Sequence, residues 1–301
     1  MEMPIANDRQ SKIEDRKSRR LGFHVSIAGG LPKAVERALE RRCTTLQIFC
    51  GNPRGWAMMP RSDAEVESFR KARAAAGLSP LFVHACYLIN PCAPNRSVFA
   101  RSVRRLAEEL RAASQLGAEF YIIHPGSQRG KSPAWGVRRA AEAIVQAARQ
   151  AGDIPEILIE NTASQHGPGG SFESLGSLIE EAKAGAPGLR LGVALDSCHA
   201  FGAGYDLREP SEVERLAEEA DAAVGLSRVK LIHANDSRDE PGSRRDRHYH
   251  IGRGTIGPAG MRNLLRHPRL SGLPLILETP CESLDADLRN MQALRRLTGE
   301  R

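Results

Sequence analysis

Residues 120–160 read FYIIHPGSQRGKSPAWGVRRAAEAIVQAARQAGDIPEILIE: two short apolar runs, Phe120–His124 and Ile157–Glu160, with a stretch of helical character between them. Each run is apolar along nearly its whole length and ends in a polar residue. Strands of that kind are buried on both faces, as in parallel sheets covered by crossover helices. The unit recurs on both sides. Further apolar runs lie at Leu21–Val25, Thr45–Phe49, Leu81–His84, Gly192–Asp196, Val229–His233 and Pro274–Glu278. The segments between runs place apolar residues three and four apart, as in Val98, Leu106, Leu110 and Leu116, or Val213, Leu216, Ala220 and Val224. Eight strand–helix units predict an α/β chain folded as a closed (β/α)8 TIM barrel rather than an open doubly wound sheet, with its active site at the C-terminal ends of the strands.

The predicted barrel spans residues 21–301 as one domain. Residues 1–20 carry six basic and four acidic side chains and almost no apolar ones, so they read as a basic, solvated N-terminal extension. With 301 residues and 41% hydrophobic content, a disulfide-stapled mini-protein and a disordered tail are both excluded. Apolar stretches of at most about eight residues fall short of the eighteen or more that a membrane-crossing helix needs. A soluble, cytoplasmic protein is expected. The formal charge of +7 and pI of about 9.3 favour an anionic partner. The six cysteines form no C-x-x-C pair and are expected to be free, buried thiols.

Six of the eight strands end in a residue that can bind metal: His84, His124, Glu160, Asp196, His233 and Glu278. A parallel barrel gathers all its strand ends at one rim, so these side chains should converge. Singly, each has a plainer reading as a hydrogen-bonded histidine or a helix cap. Together, three imidazoles and three carboxylates would be costly to desolvate without a counter-ion. His199 lies one helical turn beyond Asp196, and Asp246 and His248 share one side of an extended segment in the long connection 236–257. Nitrogen and oxygen ligands without cysteine suit catalytic Zn2+, with Mn2+ or Fe as alternatives. Nine ligands furnish three ions if one carboxylate bridges. Four carboxylates and three divalent ions then leave a net +2, which attracts a phosphate.

Other signals read as decoys. Gly126-Ser-Gln-Arg-Gly-Lys-Ser132 is one residue short of a P-loop, so Gly126 and Ser127 read as a tight turn with amides near an anion. Gly252-Arg-Gly-Thr-Ile-Gly257 has dinucleotide-type spacing but does not follow a strand directly, and reads as the end of a flexible loop. Cys198 is expected to face away from the ligands, and His24 reads as a structural residue without a partner.

The motifs HVSIAGG (24–30), QIFCGNPRGW (47–56), FVHACYLINPCAPN (82–95), IHPGS (123–127), ILIENTA (157–163), LDSCHAFGAGYD (195–206), HANDSRDEPGSRRDRHYHIGRGTIG (233–257) and LILETP (275–280) resemble the endonuclease IV family of apurinic/apyrimidinic endonucleases. The resemblance covers nearly the whole chain from Leu21. It implies one zinc on His84, His124 and Glu160, a second on Glu160, Asp196, His233 and Glu278, and a third on His199, Asp246 and His248. It also implies that Arg54, Tyr87 and Leu88 enter the DNA at the lesion. Two departures stand out: Ser164 and His166 alter the loop after Glu160, and His250 replaces a common asparagine.

The activity so implied is hydrolysis of the phosphodiester on the 5′ side of an abasic site, leaving 3′-OH and 5′-deoxyribose phosphate ends, with Glu160 orienting the attacking water. The implied partner is duplex DNA containing abasic sites, bound by a monomer without any membrane. Arg247, beside two ligands, is a further candidate DNA contact. The rival readings are a metal-dependent sugar isomerase or epimerase of the xylose-isomerase type, and a non-enzymatic DNA-binding scaffold. The third ligand cluster and the NPRGW and CYLIN loops speak against the isomerase, and structural zinc sites, usually closed tetrahedra rich in cysteine, are unlike this donor set and speak against the scaffold.

Overall fold

The computed structural model describes residues 19–164 and 166–300. Its strands are β1 (Leu21–His24), β2 (Thr45–Phe49), β3 (Leu81–His84), β4 (Phe120–Ile123), β5 (Glu156–Glu160), β6 (Leu191–Asp196) and β7 (Val229–His233), then a small pair, β8 (Asp236–Ser237) and β9 (His248–Tyr249), and finally β10 (Leu275–Leu277). The helices are α1 (Leu31–Glu40), α2 (Asp63–Ala75), α3 (Arg96–Gln115), α4 (Pro133–Ala151), α5 (Phe172–Gly185), α6 (Ser197–Ala203), α7 (Pro210–Val224), α8 (Gly257–Leu265) and α9 (Leu284–Thr298). β1–β7 and β10 form a closed, all-parallel barrel in the order β1-β10-β7-β6-β5-β4-β3-β2. Several helices begin where the sequence supplies a cap: the side chains of Asn95, Ser132 and Ser283 accept backbone N–H groups in the first turns of α3, α4 and α9.

The strands place the rim by simple alternation. Phe82, Ile122, Leu158, Ala194, Leu231 and Ile276 form a dry layer of their own inside the barrel. Side chains alternate sides along a strand, so the residues two further along, His84, His124, Glu160, Asp196, His233 and Glu278, lie above that layer at the C-terminal mouth. The parallel registers place Asp196 directly opposite His233 and stagger other neighbours by two residues, as in His84 opposite Ile122 and Glu160 opposite Ala194, the stagger of a closed, tilted barrel.

The connection after β7, a loop by its sequence, carries the antiparallel β8–β9 pair, with Ser237 opposite His248. Asp236 organises it. Its carboxylate is buried and accepts the backbone N–H groups of Ser237, Gly254, Ile256 and Gly257. A Cβ on Gly254 would lie 2.2 Å from Ser237 O, so this glycine permits close backbone approach and takes no part in a dinucleotide fold. Arg19, assigned by sequence to the solvated extension, is instead buried, its guanidinium donating to the carbonyls of Leu265, Leu270 and Leu273. Residues 1–18 lie outside the described residues. Five cysteines are buried and free as expected, whereas Cys281 is exposed. Among the described residues, no helix is long and apolar enough to cross a membrane.

Candidate metal centre

At the barrel mouth, Glu160 is fully buried and each of its oxygens faces a different pair of imidazoles. Oε2 lies 3.2 Å from His84 Nε2 and 3.1 Å from His124 Nε2, while Oε1 lies 3.0 Å from His233 Nδ1 and 3.3 Å from His199 Nδ1. Two groups of mutually close donor atoms therefore share this carboxylate: His84, His124 and Glu160, and Glu160, Asp196, His233 and Glu278. On the far side, the two oxygens of Asp246 lie 3.1 Å from His199 Nε2 and 3.1 Å from His248 Nε2. His248 Nε2 also approaches Asp196 Oδ2, at 3.5 Å. All nine side chains singled out from sequence meet in one place.

The donor set fits divalent ions for a reason visible in the rings themselves. His84 Nδ1 lies 2.8 Å from Ala85 O, His199 Nδ1 2.9 Å from Asn161 O and His248 Nδ1 3.2 Å from Glu278 O. His233 is turned the other way, with Nε2 2.8 Å from Gln47 Oε1. When each of those nitrogens carries the proton and donates it, the opposite nitrogen keeps a lone pair directed into the cup, the arrangement that orients metal-binding histidines. His248 Nε2 is moreover buried, and its approaches to Asp246 and Asp196 lack hydrogen-bond geometry.

Without cations the cup traps protons. Burial opposes charge on His233, but Glu278 and Glu160 outweigh it and raise the imidazole to about 9. His248 is likewise raised to about 9 against burial, by Asp196 and Asp246. Burial would favour neutral Glu160, yet His233 and His124 hold its carboxyl well below the ordinary range. These are the groups whose charges a set of divalent ions would balance instead.

The neighbours sequence missed are amides. Gln47 donates to Glu278 Oε1 at 2.6 Å while accepting from His233. Asn161 Oδ1 accepts Asp196 N–H at 2.6 Å, and Asn235 Nδ2 donates to Asp196 Oδ2 at 2.7 Å. Asp196 also caps α6, accepting His199 N–H on Oδ1 at 2.7 Å, so its cap and ligand readings are compatible. A signal was present: Gln47 is a lone amide in an apolar strand, and Asn161 and Asn235 follow Glu160 and His233 within two residues.

Three sequence readings need correction. His24 does have partners, Glu278 Oε1 at 3.0 Å and Gln47 Nε2 at 2.9 Å, because β1 closes the barrel against β10. Cys198 does not face away: Sγ lies within 4.8 Å of ligand atoms of Asp246 and His248. Burial, reinforced by Asp196, pushes this thiol up to about 12 and keeps it protonated. The Ser127 amide is not free for an anion, since it donates to Asn90 Oδ1 at 3.0 Å. Gly126, at φ +88°, lets Asn90 approach where a Cβ would collide.

The family model described as xylose isomerase-like TIM barrel matches residues 35–298. A probable endonuclease 4 of Halothermothrix orenii is 41% identical over 92% of this chain and 99% of its own length, and one from Methanoculleus marisnigri is 41% identical over 93% and 99%. The chain belongs to the endonuclease IV family. The crystal structure of endonuclease IV from Thermus thermophilus superposes with a TM-score of 0.82 at 39% identity, covering 93% of this chain and 99% of that one.

Two cavities of about 730 and 710 Å3 flank the cup, and Tyr87, 65% exposed, stands between them with His124, His199 and Asp246 shared by both. Leu88 lines the first cavity and the exposed Arg54 lines the second. Arg129 (φ +40°) and Arg244 (φ +60°), which sequence did not single out, line the first cavity from left-handed backbone. Arg247 is already engaged, its guanidinium paired through two nitrogens with Asp239. The loop with Ser164 and His166 folds back on the β4–α4 turn, where His166 O accepts Gln128 N–H at 3.0 Å. His250 is held between Asn290 Nδ2 at 3.0 Å and Glu282 Oε1 at 3.3 Å.

Proposed function

We propose that this chain is a zinc-dependent endonuclease of base-excision repair that hydrolyses the phosphodiester 5′ to an abasic site, leaving a 3′-hydroxyl and a 5′-deoxyribose phosphate. The observation that carries the reading is Glu160, a buried carboxylate whose two oxygens face separate imidazole pairs. His84, His124 and Glu160 would hold one ion, Glu160, Asp196, His233 and Glu278 a second, and His199, Asp246 and His248 a third. Bound divalent ions supply Lewis acidity and lower the pKa of water toward neutrality. The chain's own residues do the rest.

Glu160 orients the attacking water, standing where both its oxygens are already fixed. Asn161 fixes the Asp196 backbone, Asn235 holds its carboxylate, and Gln47 keeps His233 in the tautomer whose Nδ1 faces the cup. Tyr87, Leu88 and Arg54 fill the stack where a base is missing. Turning out an abasic nucleotide costs least there, and this contributes to selectivity. The basic excess gives phosphate contacts and salt-sensitive binding. Arg247, engaged with Asp239, lends a phosphate contact only by sharing its guanidinium. The barrel acts as one catalytic domain and as a monomer, in the cytoplasm.

The deciding experiment incubates purified protein with an abasic-site duplex, with and without chelator, and identifies the chemical ends. Chelator-sensitive nicking to 3′-OH and 5′-deoxyribose phosphate ends is expected, with about three ions per chain by elemental analysis. No nicking after zinc is restored, or only one or two ions bound, overturns the reading.

A further inference from the structure

Beneath the loops that follow β2 and β3, helix α3 carries a salt bridge buried on every side. Arg105 and Glu109 are each 1% exposed, with Arg105 Nε donating to Glu109 Oε1 at 2.8 Å. Buried pairs of this kind often contribute no net stability over apolar residues of the same size. Here one guanidinium nitrogen, Nη1, is also buried without a partner, a further cost. Two of the pair's remaining polar atoms reach loop backbone. Glu109 Oε2 accepts the N–H of Cys86 at 3.1 Å as well as the hydroxyl of Tyr121 at 2.7 Å. Arg105 Nη2 donates to Asn52 O at 3.4 Å.

Each of the two backbone contacts is one step from a residue assigned to the lesion. Asn52 Oδ1 accepts Arg54 N–H at 3.0 Å, and Tyr87 N–H donates to Pro53 O at 3.1 Å, joining the two loops directly. Gly51 makes room for this, because a Cβ there would come within 3.0 Å of Arg105 Nη2. Arg101, one turn earlier on α3, lies 4.3 Å over the Trp56 ring and seats the far end of the first loop.

We propose that Arg105 and Glu109 are a positioning pair: a buried ionic clamp that fixes the 50–56 and 85–90 loops relative to each other, so that Arg54 and Tyr87–Leu88 enter the damaged duplex together. The inference rests on the reading of those three residues as lesion-filling. Among the described residues the pair's side-chain hydrogen bonds, other than the one between them, go to Cys86, Asn52 and Tyr121 and to none of the nine candidate metal ligands, so its effect falls on recognition and spares the chemical step.

The test uses the metal-loaded Glu109→Gln variant. Glutamine can still accept from Cys86 or Tyr121 but presents an N–H2 group toward Arg105, so the clamp opens. Amide exchange in residues 50–56 and 85–90 is expected to accelerate, with metal content and strand protection unchanged. Affinity for an abasic duplex is expected to fall about tenfold, the worth of one hydrogen bond to a charged group, with undamaged-duplex affinity and the nicking rate at saturating DNA unchanged. In a Tyr87→Ala/Leu88→Ala background, adding Glu109→Gln is expected to cause no further loss. Arg105→Lys, which keeps a cation beside Glu109 but gives up the fork that reaches Asn52, repeats the pattern more weakly and serves if Glu109→Gln does not fold. Unchanged loop exchange, equal weakening on both duplexes, loss of metal, or additive losses in the combined variant each overturn the clamp. If the parent protein does not distinguish abasic from intact duplex, the lesion assignment fails first and the clamp's purpose falls with it.

Discussion

Two layers of the barrel, one residue pair apart along the same six strands, obey opposite rules. The lower, Phe82, Ile122, Leu158, Ala194, Leu231 and Ile276, satisfies itself by packing and needs nothing from outside. The upper, His84, His124, Glu160, Asp196, His233 and Glu278, consists of ionisable groups so close that each perturbs its neighbours. The difference teaches that the fold's stability and its chemistry are stacked but separable. The dry layer holds strand ends in place, and the polar layer, unable to neutralise itself at low cost, is left in want of cations.

That separation can be broken first at Glu160. Glu160→Gln keeps the shape but removes the charge shared by the two imidazole pairs, and nicking of abasic duplex is expected to fall by on the order of a thousandfold while thermal stability changes little. A variant with full zinc content and parental rate would dissolve the contrast. Leu158→Ala, two residues earlier on the same strand, is expected to do the reverse: a loss of about 3 kcal/mol in unfolding free energy by denaturant titration, with ion stoichiometry retained below the melting range. Loss of metal without loss of stability would show the layers to be one unit.

Gln47→Leu probes the seam between barrel closure and cup. Removing the acceptor on His233 Nε2 and the donor to Glu278 is expected to weaken metal retention by about 10- to 100-fold in a competition with a chelating dye. Parental affinity would reduce Gln47 to packing.

The smallest effect is also the most diagnostic in sign. In chelated protein, burial opposes the charges on His233 and His248, but nearby carboxylates raise both to about 9, above the ordinary 6.5. The stability they contribute is complete below pH 6.5 and is lost as pH rises through 9, so the chelated Tm should fall over that window by a few degrees. In the loaded protein the imidazoles enter as neutral ligands, so Tm should rise as pH passes 6.5 and then level off. Parallel curves in a fluorimetric melt would mean that the histidines are not shared between proton and metal.

Much of this was legible in the residues. Strand ends bounded by apolar runs gave the eightfold count, and six polar residues at those ends gave the mouth. Spacing added His199, a helical turn past Asp196, and Asp246 with His248, one residue apart. What stayed hidden were residues whose partners are remote in sequence. Gln47 meets His233 across 186 positions and His24 meets Glu278 across 254, so neither pairing shows locally even where the residue itself, a lone amide in an apolar strand, stands out. Glu109 looks like any charge on an amphipathic helix until the loop beyond β3 is seen lying on it.

By itself, then, the chain's sequence determined what depends on neighbours along the backbone: which segments are strands, which side of each strand a residue occupies, and which chemistry sits at its end. Only the closed barrel decided which of those ends touch, which imidazole nitrogen faces inward, and that β8 and β9 bring His248 over the cup. The physical reason is one of range. Alternation and helical period act over a few residues, whereas hydrogen-bond partners and electrostatic coupling are set by distances that exist only after β1 has closed against β10.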